Sequence, residues 1–565
     1  MHELNSFDAY LEPLLISREP GLRAYLPRLA EFRRWVLTDV DAQANYTDRY
    51  APPALETYDR SGAVANRVVV NPWYDAQHQE IYGRGAIGLP YSEAAPHLLS
   101  FSMGFLLSQA DISLHCPVTL TGAVAYVLGY HASQELRAKF LHELTRMDGR
   151  TVSGGTWVTE QHGGSDVGAT TTTAVPQAGR FALHGLKWFT SNANSGLAIA
   201  TARLQGAEPG TTGLGLYLVP SHLEDGSSNR YVIRRLKDKL GTKGLPTGEI
   251  ELLGAEALEI AGPPHGFRFM MAALEYSRVH NAVGAAGVQR RALREAVQWA
   301  KSRTAFGHVL AEYPMVQDEL LGIRVRFEAG ALLAFEAAFA FDAAIEDSAI
   351  HDPRINDPKT GAWLRLVTAL AKYLTAEDAI RATRAALELI GSNGYTSDYP
   401  IARMYRDAQV LTVWEGPANI QALELLRLLA PKYAGEVQYE RRIRGILDRL
   451  PPTMSSLRSA LDSRLKEDVA AIAFVTADPA CSQRYARKLL ERLSHSLAFA
   501  FLCESAGHAC SDGDNRRLLT ATRYYEEIEK PKLGSEDERV HRAALELLED
   551  EPVVEASPAT APPHD

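Results

Sequence analysis

The chain has 565 residues, of which 46% are hydrophobic, 23% charged and 8% aromatic, and its formal net charge is −10. These values are typical of a globular protein with several domains, and they argue against a surface that binds nucleic acid throughout. No stretch approaches the roughly 20 apolar residues that span a bilayer, and the N-terminus lacks the pattern of a secretory signal, so we expect a cytoplasmic location and no membrane partner.

Helical periodicity dominates both ends of the chain, and strand periodicity dominates its middle. The fold class we expect is therefore α+β. Ser133 is a suitable N-cap for a helix that begins at residue 134. The predicted domains are, in chain order, an N-terminal helical domain (1–150), a β-barrel or sandwich domain (151–266), a four-helix bundle (267–430), a helical extension (431–548) and a disordered tail (549–565).

The cysteines and the common catalytic motifs exclude several classes of protein. Four cysteines, at 116, 481, 503 and 510, show no CxxC spacing and no adjacent histidine pair. We therefore expect neither a disulfide framework nor a zinc site. His162 has no second histidine at metal-ligand spacing. The absence of GxGxxG after a strand, GxxxxGK[ST], HExxH and GxSxG argues against Rossmann dehydrogenases, P-loop enzymes, zincins and α/β hydrolases.

Two stretches of the middle domain share the composition of a site for a flat ligand. They are "WVTEQHGGSDV" (157–167) and "GLKWFTSNANSG" (185–196), each with a tryptophan near threonine and small polar residues. A flat heteroaromatic ring needs an apolar wall and donors for its edge, and backbone N–H groups beside glycines can supply those donors. Either stretch alone is better explained as a β-turn beside a core tryptophan.

Two further stretches lie in the helical part. In "SRTAFG" (302–307), Arg303 offers a cation for phosphate and Phe306 a ring for stacking, although a helix that stops at Gly307 explains the stretch equally well. In the other stretch a helix breaks at Gly391, and Glu415 follows later in an apolar Val-Trp-Glu-Gly-Pro run. A poorly solvated carboxylate there suits a general base, but a helix-start glutamate with Pro417 in the first turn is an equal alternative.

Together and in this order, these motifs resemble those of the acyl-CoA dehydrogenase family. "VTEQHGGSDV" is similar to the family's first signature, "KWFTSNA" to its flavin-wall segment, "SRTAFG" to its R-x-x-F-G helix end, and "GSNGYTSDYPIARMYRDAQVLTVWEGPANIQ" to its second signature. The match covers roughly residues 60–430. The "WEG" in place of the commoner "YEG", and the helical extension after 430, resemble the adaptive-response, AidB-like branch of the family.

The resemblance implies FAD as cofactor and an acyl-CoA thioester as substrate. Glu415 would take the α-proton of the thioester while the β-hydride moves to flavin N5, and Ser165 and Arg278 would contact the substrate. A second base position known in the family holds Ser277 here, with Glu275 just upstream. A homotetramer and an electron-transfer flavoprotein are the partners implied. The residues implied in cofactor binding are Val158, Thr159, Gly164, Ser165, Trp188, Phe189, Thr190, Arg303, Phe306, Trp414, Gly416 and Asn419.

Two other functions stay open. In the AidB-like branch the extension is implicated in binding double-stranded DNA, and residues 441–500 here hold eleven Lys/Arg and six Asp/Glu. If those cations share one face, they form a DNA-binding stripe; otherwise they form a solvated helix face, which we favour slightly. Oxidases and monooxygenases of the same fold are the other alternative, and Glu415 argues against both.

Overall fold

The computed structural model describes residues 6–347, 359, 361–510, 514–529 and 538–549. The predicted tail beyond Glu549 lies outside these residues. The α-helices are α1 (Leu11–Arg18), α2 (Leu26–Trp35), α3 (Asp41–Tyr50), α4 (Pro72–Gly83), α5 (Leu89–Ser92), α6 (His97–Leu107), α7 (Ile112–Tyr130), α8 (Gln134–Thr145), α9 (Gly266–Ser302), α10 (Pro314–Glu346), α11 (Ala362–Ile390), α12 (Pro400–Leu411), α13 (Ala418–Leu429), α14 (Gly435–Arg449), α15 (Ser455–Thr476), α16 (Pro479–Cys510), α17 (Arg516–Glu529), α18 (Glu538–Arg542) and α19 (Ala544–Leu548). The strands are β1 (Ala54–Tyr58), β2 (Val64–Val69), β3 (Gly154–Trp157), β4 (Thr173–Gln177), β5 (Arg180–Ser191), β6 (Leu197–Leu204), β7 (Leu214–Pro220), β8 (Tyr231–Leu236), β9 (Thr247–Ala261), β10 (Thr304–Ala305) and β11 (His308–Val309).

Strands β3 to β9 form one sheet that closes on itself. Strand β6 pairs with both β4 and β7, and the pairs β4–β5, β5–β9 and β9–β7 complete the ring. Strand β3 adds to β6 in parallel and β8 adds to β9. Trp157, Leu183, Tyr217 and Ile250 are among the buried side chains that fill the interior. The predicted β-barrel or sandwich domain is therefore a closed barrel, and closure leaves fewer unpaired strand edges.

The predicted local signals are confirmed where the chain is strongly periodic. Ser133 caps α8, because its Oγ accepts from the backbone N–H of Leu136 at 3.3 Å. Helix α11 ends at Ile390, and Gly391 follows with φ of +73°. Short or isolated elements were not predicted: the β1–β2 hairpin, the glycine-rich β3 and the β10–β11 hairpin. Their few residues carry too little alternation to stand out from turns.

The described chain divides into two compact units. The helical unit contains residues 6–33, 281–346 and the described residues from 359 onward, and the barrel unit contains residues 34–280 with 347. The first 33 residues therefore group with the C-terminal half of the chain. Arg290 Nε donates to Asp8 Oδ2 at 2.8 Å, and the Arg517 guanidinium lies 4.7 Å from the centroid of the Tyr10 ring. The domain boundaries given above stay predictions.

Helix α7 is the core helix of the barrel unit. Among the described residues it alone is long and apolar enough to cross a membrane, but 94% of its most apolar window is buried inside the protein. It contacts the first barrel strand directly, because Thr121 Oγ1 accepts from the backbone N–H of Gly154 at 2.9 Å. Its apolar composition is thus explained by packing.

The C-terminal extension is helical, as predicted, and polar side chains join its helices. Tyr439 on α14 donates to Asp468 Oδ2 on α15 at 2.8 Å, and Arg492 on α16 donates to Asp468 Oδ1 at 2.7 Å. Asp468 and Tyr439 are both fully buried. A satisfied buried network of this kind favours one packing of the three helices over others.

Candidate active site

The segment after β3 and the end of β5 lie side by side in the barrel unit. The backbone N–H of Trp188 donates to the carbonyl oxygen of Thr159 at 2.9 Å, and Glu160 pairs with Lys187 as an isolated β-bridge. The two stretches predicted to surround a flat ligand are therefore adjacent, although about thirty residues separate them along the chain.

The two glycines after Glu160 have different physical roles. The backbone groups of Glu160 and Gly163 exchange hydrogen bonds at 3.0 and 3.3 Å, which closes a tight turn. Gly163 has φ of +139°, a conformation that other residues rarely adopt. At Gly164 a Cβ atom would lie 2.5 Å from Thr159 Oγ1. The turn therefore requires glycine at 163 for its backbone conformation and at 164 for its close packing against Thr159, and the exposed Ser165 follows it.

Glu160 is a buried anchor and does not face solvent. Its Oε2 accepts from the N–H and hydroxyl of Thr171 at 2.8 and 2.6 Å, and its Oε1 accepts from the N–H and hydroxyl of Thr172 at 3.1 and 2.6 Å. Lys187 Nζ also donates to Oε1, at 3.0 Å. Glu160 is 2% exposed and Lys187 is fully buried. The threonine run that begins at 170 therefore serves first as a carboxylate clamp and becomes a strand only from Thr173.

The clamp shifts the ionisation of both partners. Burial alone would raise the pKa of Glu160, but the Lys187 ammonium and the hydrogen bonds from Thr171 and Thr172 together lower that pKa to about 2. Burial lowers the pKa of Lys187, and the Glu160 carboxylate offsets part of that effect. Glu160 is thus a fixed negative charge at neutral pH and is unsuited to proton transfer.

Near its end, strand β5 carries Trp188 and Phe189, which form an aromatic surface, followed by Thr190. Lys237 Nζ lies 3.6 Å from the centroid of the Trp188 ring and 4.7 Å from that of Phe189, and it also pairs with Glu249. Phe189 is exposed, whereas Thr190 is buried and its Oγ1 donates to the carbonyl of Gly248 at 2.8 Å. The Thr190 oxygen therefore remains an acceptor, not a donor.

This part of the barrel unit has the chemistry that a flavin ring requires. The Trp188 ring supplies a flat wall, and Thr159 and Ser165 supply hydroxyl groups. The backbone at Gly163 has open space beside it, because a Cβ added there would meet no atom within 4 Å among the described residues, whereas Gly164 packs against the Thr159 side chain. An isoalloxazine is flat and carries donors and acceptors on its edge, so the residues present fit this group.

Glu415 lies in the helical unit, on the short loop from α12 to α13. Its φ is +58° and that of Gly416 is +91°, so two successive residues have left-handed backbone. The Glu415 side chain is half-buried. Trp414, just before it, donates its ring N–H to Asn281 Oδ1 on α9. Pro417 is the N-cap residue of α13 and not part of its first turn.

Two buried side chains hold the Glu415–Gly416 backbone. Gln421 Nε2 donates to the carbonyl oxygens of Glu415 and Gly416, both at 3.0 Å. Lys372 Nζ, on α11, donates to the Gly416 carbonyl at 2.9 Å. Asn419, in contrast, is exposed on the first turn of α13. The loop is therefore fastened to α11 and α13 by groups that water does not reach.

Arg278 and its neighbours lie on the part of α9 that belongs to the barrel unit. Arg278 is buried, and its Nη1 donates to Glu275 Oε2 at 3.4 Å, one helical turn away. The hydroxyl of Ser277 donates to the carbonyl of Ala273 at 3.2 Å. The Glu275 carboxylate is thus already engaged by a guanidinium, which makes it a poorer candidate for a base than Glu415.

Arg303 and Phe306 belong to a small hairpin and not to a helix end that stops at Gly307. Helix α9 ends at Ser302, and β10 pairs with β11 beyond it. Phe306 is 96% exposed and has φ of +51°, with Gly307 at +88°. The Tyr313 hydroxyl donates to the carbonyl of Ala305 at 2.8 Å. The hairpin is therefore anchored by Tyr313, and the phenyl ring of Phe306 is exposed to solvent.

Three family models match this chain in succession. Residues 17–148 match the adaptive response protein AidB N-terminal domain, 155–254 the acyl-CoA dehydrogenase middle domain, and 264–429 the acyl-CoA dehydrogenase C-terminal domain. Together these ranges span more than half of the chain. The chain belongs to the acyl-CoA dehydrogenase family. The expected family, its AidB-like branch and the fold class are thus confirmed, and members of this family are oxidoreductases that act on CH–CH groups.

Individual relatives agree with this assignment. The acyl-CoA dehydrogenase family member 11 of Caenorhabditis elegans is 29% identical over 435 residues, which is 74% of this chain and 69% of that protein. The putative acyl-CoA dehydrogenase AidB of Escherichia coli is 29% identical over 395 residues, covering 67% of this chain and 69% of AidB.

Solved structures are also similar to this chain over most of its length. The C. elegans ACDH-11 structure in complex with C11-CoA has a TM-score of 0.81 and 26% identity, covering 90% of this chain and 89% of that one. An acyl-CoA dehydrogenase of Bacillus anthracis complexed with FAD has a TM-score of 0.74 at 16% identity, covering 92% of this chain and 87% of its own. The ligand of the B. anthracis structure, FAD, is the cofactor expected for this chain as a member of the family.

In this acyl-CoA dehydrogenase family member, most of the lysine and arginine side chains between 441 and 500 are paired with carboxylates. Seven of the eleven cations between 441 and 500 form ion pairs with carboxylates: Arg442, Arg444, Arg449, Arg464, Lys466, Arg487 and Arg492. A single carboxylate, that of Glu504, accepts hydrogen bonds from both Arg442 and Arg449. A phosphate backbone would have to compete with these carboxylates, so the charge excess in the sequence overstates the attraction.

Metal and disulfide chemistry find no support in the part of the chain that the structure describes. Those residues contain no group of three or more His, Cys, Asp or Glu side chains that could hold a metal ion, and His162 is exposed. Cys116, Cys481 and Cys503 are not in disulfide bonds among the described residues, and the side chain of Cys510 lies outside the described part of the chain.

Four residues that the motifs did not single out anchor, each within its own unit, the segments that carry the predicted site residues. Lys187 anchors the segment before Ser165, Lys237 covers the Trp188 ring, and Gln421 with Lys372 fastens the Glu415 loop. Their partners lie from 5 to 49 residues away along the chain. Lys187 and Gln421 lie inside family motifs without a role assigned to them, and composition and spacing gave no signal for Lys237 and Lys372.

Proposed function

We propose that the protein is an FAD-dependent acyl-CoA dehydrogenase that introduces an α,β double bond into an acyl-CoA thioester. Glu415 is the base that takes the α-proton. The observation that carries the proposal is the position of this carboxylate: half-buried, on a left-handed loop whose carbonyls are held by Gln421 and Lys372. A partly desolvated carboxylate on a rigid support suits proton abstraction from carbon.

The other carboxylates near the family motifs suit the role less well. Glu160 is clamped by Lys187 and two threonines, and its pKa is lowered to about 2. Glu275 is engaged by Arg278 on the same helix. Glu415 is left as the best candidate, which agrees with the last position of the second family signature.

FAD, when bound, supplies the acceptor for the β-hydride at N5 of its ring. In the barrel unit, Val158, Thr159, Gly164, Ser165, Trp188, Phe189 and Thr190 would bind and orient that ring. In the helical unit, Trp414, Gly416 and Asn419 would contact it, and Arg303 and Phe306 would bind the pyrophosphate and adenine. The Phe306 ring is exposed on both faces, so an adenine ring could stack on it, and this supports the assignment of Phe306 to the adenine.

The substrate class is an acyl-CoA, with Ser165 and Arg278 as its expected contacts. As the α-proton leaves, negative charge develops on the thioester oxygen and needs donors fixed in advance. The backbone N–H of Glu415 is such a donor in this family, and Gln421, which holds the carbonyl of the same residue, would limit the movement of that donor. The C11-CoA complex of the C. elegans relative supports a thioester ligand. An electron-transfer flavoprotein, a homotetramer and a cytoplasmic location are the further predictions that this activity carries.

Anaerobic reduction of the bound flavin tests the proposal. The purified holoenzyme is mixed with saturated acyl-CoAs of increasing chain length, and flavin absorbance is followed by stopped flow. We expect bleaching by at least one chain length and a 2-enoyl-CoA product. If no thioester bleaches the flavin while dithionite does, the protein is a flavoprotein with another substrate.

A further inference from the structure

The backbone at Glu415 adopts a conformation that its sequence does not favour. A left-handed φ is costly for a residue with a Cβ, and such residues persist when the surroundings hold them. Here the residue with φ of +58° is the proposed base, and Gly416 follows at +91°. The direction in which the carboxylate leaves the chain therefore depends on whatever stabilises this turn.

Gln421 stabilises the turn from the helix that follows. One amide nitrogen bridges two successive carbonyls, those of Glu415 and Gly416, at 3.0 Å each. Gln421 is buried, and its Oε1 has no hydrogen-bond partner among the described residues. Burying that oxygen without a partner costs free energy that an apolar residue would not cost, so what the amide contributes at this position is its two N–H bonds.

Lys372 stabilises the same turn from a different helix. Its ammonium donates to the Gly416 carbonyl at 2.9 Å, and the side chain is buried. A charge in the interior is expensive unless it is well satisfied, and a charge-assisted bond there is stronger than a neutral one. The loop is thus held from α11 and α13. Trp414, the residue before Glu415, also donates its ring N–H to Asn281 on α9.

We infer that Lys372 and Gln421 are positioning residues for the base: they hold the Glu415–Gly416 carbonyls, and through them the left-handed turn that aims the Glu415 carboxylate. This inference rests on the proposed function of Glu415. Both side chains are buried, so we expect neither to touch the substrate and each to act only on the direction of the base. Removing either one therefore slows proton abstraction without weakening the binding of acyl-CoA or FAD.

The variants are Lys372→Met and Gln421→Leu, which keep the volume and remove the donors. The control is Thr375→Val, one turn from Lys372 on the same helix and equally buried, whose hydroxyl only donates to the carbonyl of Ala371. We expect each test variant to lower the rate of flavin bleaching on the order of 10- to 100-fold, because a base displaced by about 1 Å loses rate of that order. KM and the FAD dissociation constant should stay within about threefold, and Thr375→Val should match the wild type.

A second readout isolates the proton step. In 3-thiaoctanoyl-CoA a sulfur replaces the β-carbon, so the base can remove the α-proton but no β-hydride can follow. The resulting enolate beside oxidised flavin gives a long-wavelength charge-transfer band. We expect this band to be weak in Lys372→Met and Gln421→Leu and to recover in Lys372→Arg, which keeps a cationic donor.

Each outcome decides between distinct claims. Full-strength bands and wild-type bleaching in both test variants would overturn the positioning role. That role is also overturned if both variants lose FAD or fail to fold while Lys372→Arg folds without recovering the band, because the contribution is then structural. If the wild type gives neither band nor bleaching, the proposed function fails, and if Glu415→Gln keeps the band, the base lies elsewhere.

Discussion

Lys187 and Glu160 form an ion pair in the interior of the barrel unit, with Nζ 3.0 Å from Oε1. Both side chains are buried, and Thr171 and Thr172 complete the carboxylate's hydrogen bonds. The pair joins the segment that leads to Ser165 to the strand that carries Trp188. The two halves of the proposed flavin wall are therefore fixed to each other by a charge pair that solvent does not screen.

Removal of one partner of this pair should strongly destabilise the barrel unit. Lys187→Met leaves the Glu160 carboxylate buried without its cation, and such changes cost about 3–5 kcal/mol. The matched control is Lys139→Met, which removes an exposed ion pair with Glu224 and should cost at most about 1 kcal/mol. Urea unfolding followed by tryptophan fluorescence measures both. Equal effects in the two variants would contradict a buried pair.

The same clamp predicts how stability depends on acid pH. The pKa of Glu160 is lowered to about 2 from an ordinary value of 4.5, so its contribution is complete above pH 4.5 and is lost as the pH falls towards 2. A shift of this size corresponds to about 3 kcal/mol. Glu160→Gln should therefore be less stable than the wild type at neutral pH, with the difference shrinking by about that amount between pH 4.5 and 2.

Chemical unfolding at a series of pH values checks this prediction. Glu56→Gln serves as the control, because it removes an exposed carboxylate of the same unit that pairs with Arg67 on the β1–β2 hairpin. A stability difference that is constant across the acid range would show that Glu160 keeps an ordinary ionisation in the folded protein.

Glu415→Gln should retain FAD and lose turnover. The amide keeps the shape of the carboxylate but cannot accept the α-proton, and loss of a general base costs at least about 10²-fold. The rate of anaerobic flavin bleaching by acyl-CoA gives the effect, and the flavin spectrum of the purified variant reports cofactor content. Glu275→Gln is the comparison, with a smaller expected loss. A larger loss in Glu275→Gln than in Glu415→Gln would move the base to α9.

Local sequence signals account for the fold better than for the support of the site. Periodicity is enough for α8, for α11 with its stop at Gly391, and for most barrel strands, because each signal lies within a few neighbouring residues. Family motifs placed Trp188 and Thr159 in one site, and the structure brings them into contact. Motifs and hydrophobic periodicity together therefore predict most secondary-structure elements and the residues proposed to contact FAD.

The anchoring contacts could not be predicted in the same way. Lys372 reaches Gly416 across 44 positions, and Arg517 reaches Tyr10 across 507. Neither residue stands out in composition, and each one's partner is a backbone carbonyl, which every residue possesses. Such contacts depend on how helices pack, which no single stretch encodes.

Ion pairing in the extension predicts weak binding to polyanions. Because carboxylates already neutralise most of its cations, we expect the protein to leave heparin at low salt, with a shallow dependence of affinity on salt. Glu440→Gln and Asp462→Asn release Arg444 and Lys466, and each should steepen the log–log salt slope by up to about 0.9. Tight wild-type retention with a slope steeper than about −6 would favour DNA binding instead.

We expect Phe306 to contribute to FAD binding and not to the stability of the folded protein. A ring that is 96% exposed contributes little to folding, so Phe306→Ala should leave the melting temperature of the FAD-free protein unchanged. If the ring stacks on adenine, its loss removes about 1–3 kcal/mol, or roughly 5- to 150-fold in the FAD dissociation constant.

Met315→Ala, which removes another highly exposed apolar side chain, is the control and should change neither the melting temperature nor the FAD dissociation constant. Flavin fluorescence titration of the FAD-free protein measures the affinity. An unchanged dissociation constant in Phe306→Ala would remove the hairpin from the cofactor site, whereas a lower melting temperature without FAD would show that the ring packs within the protein.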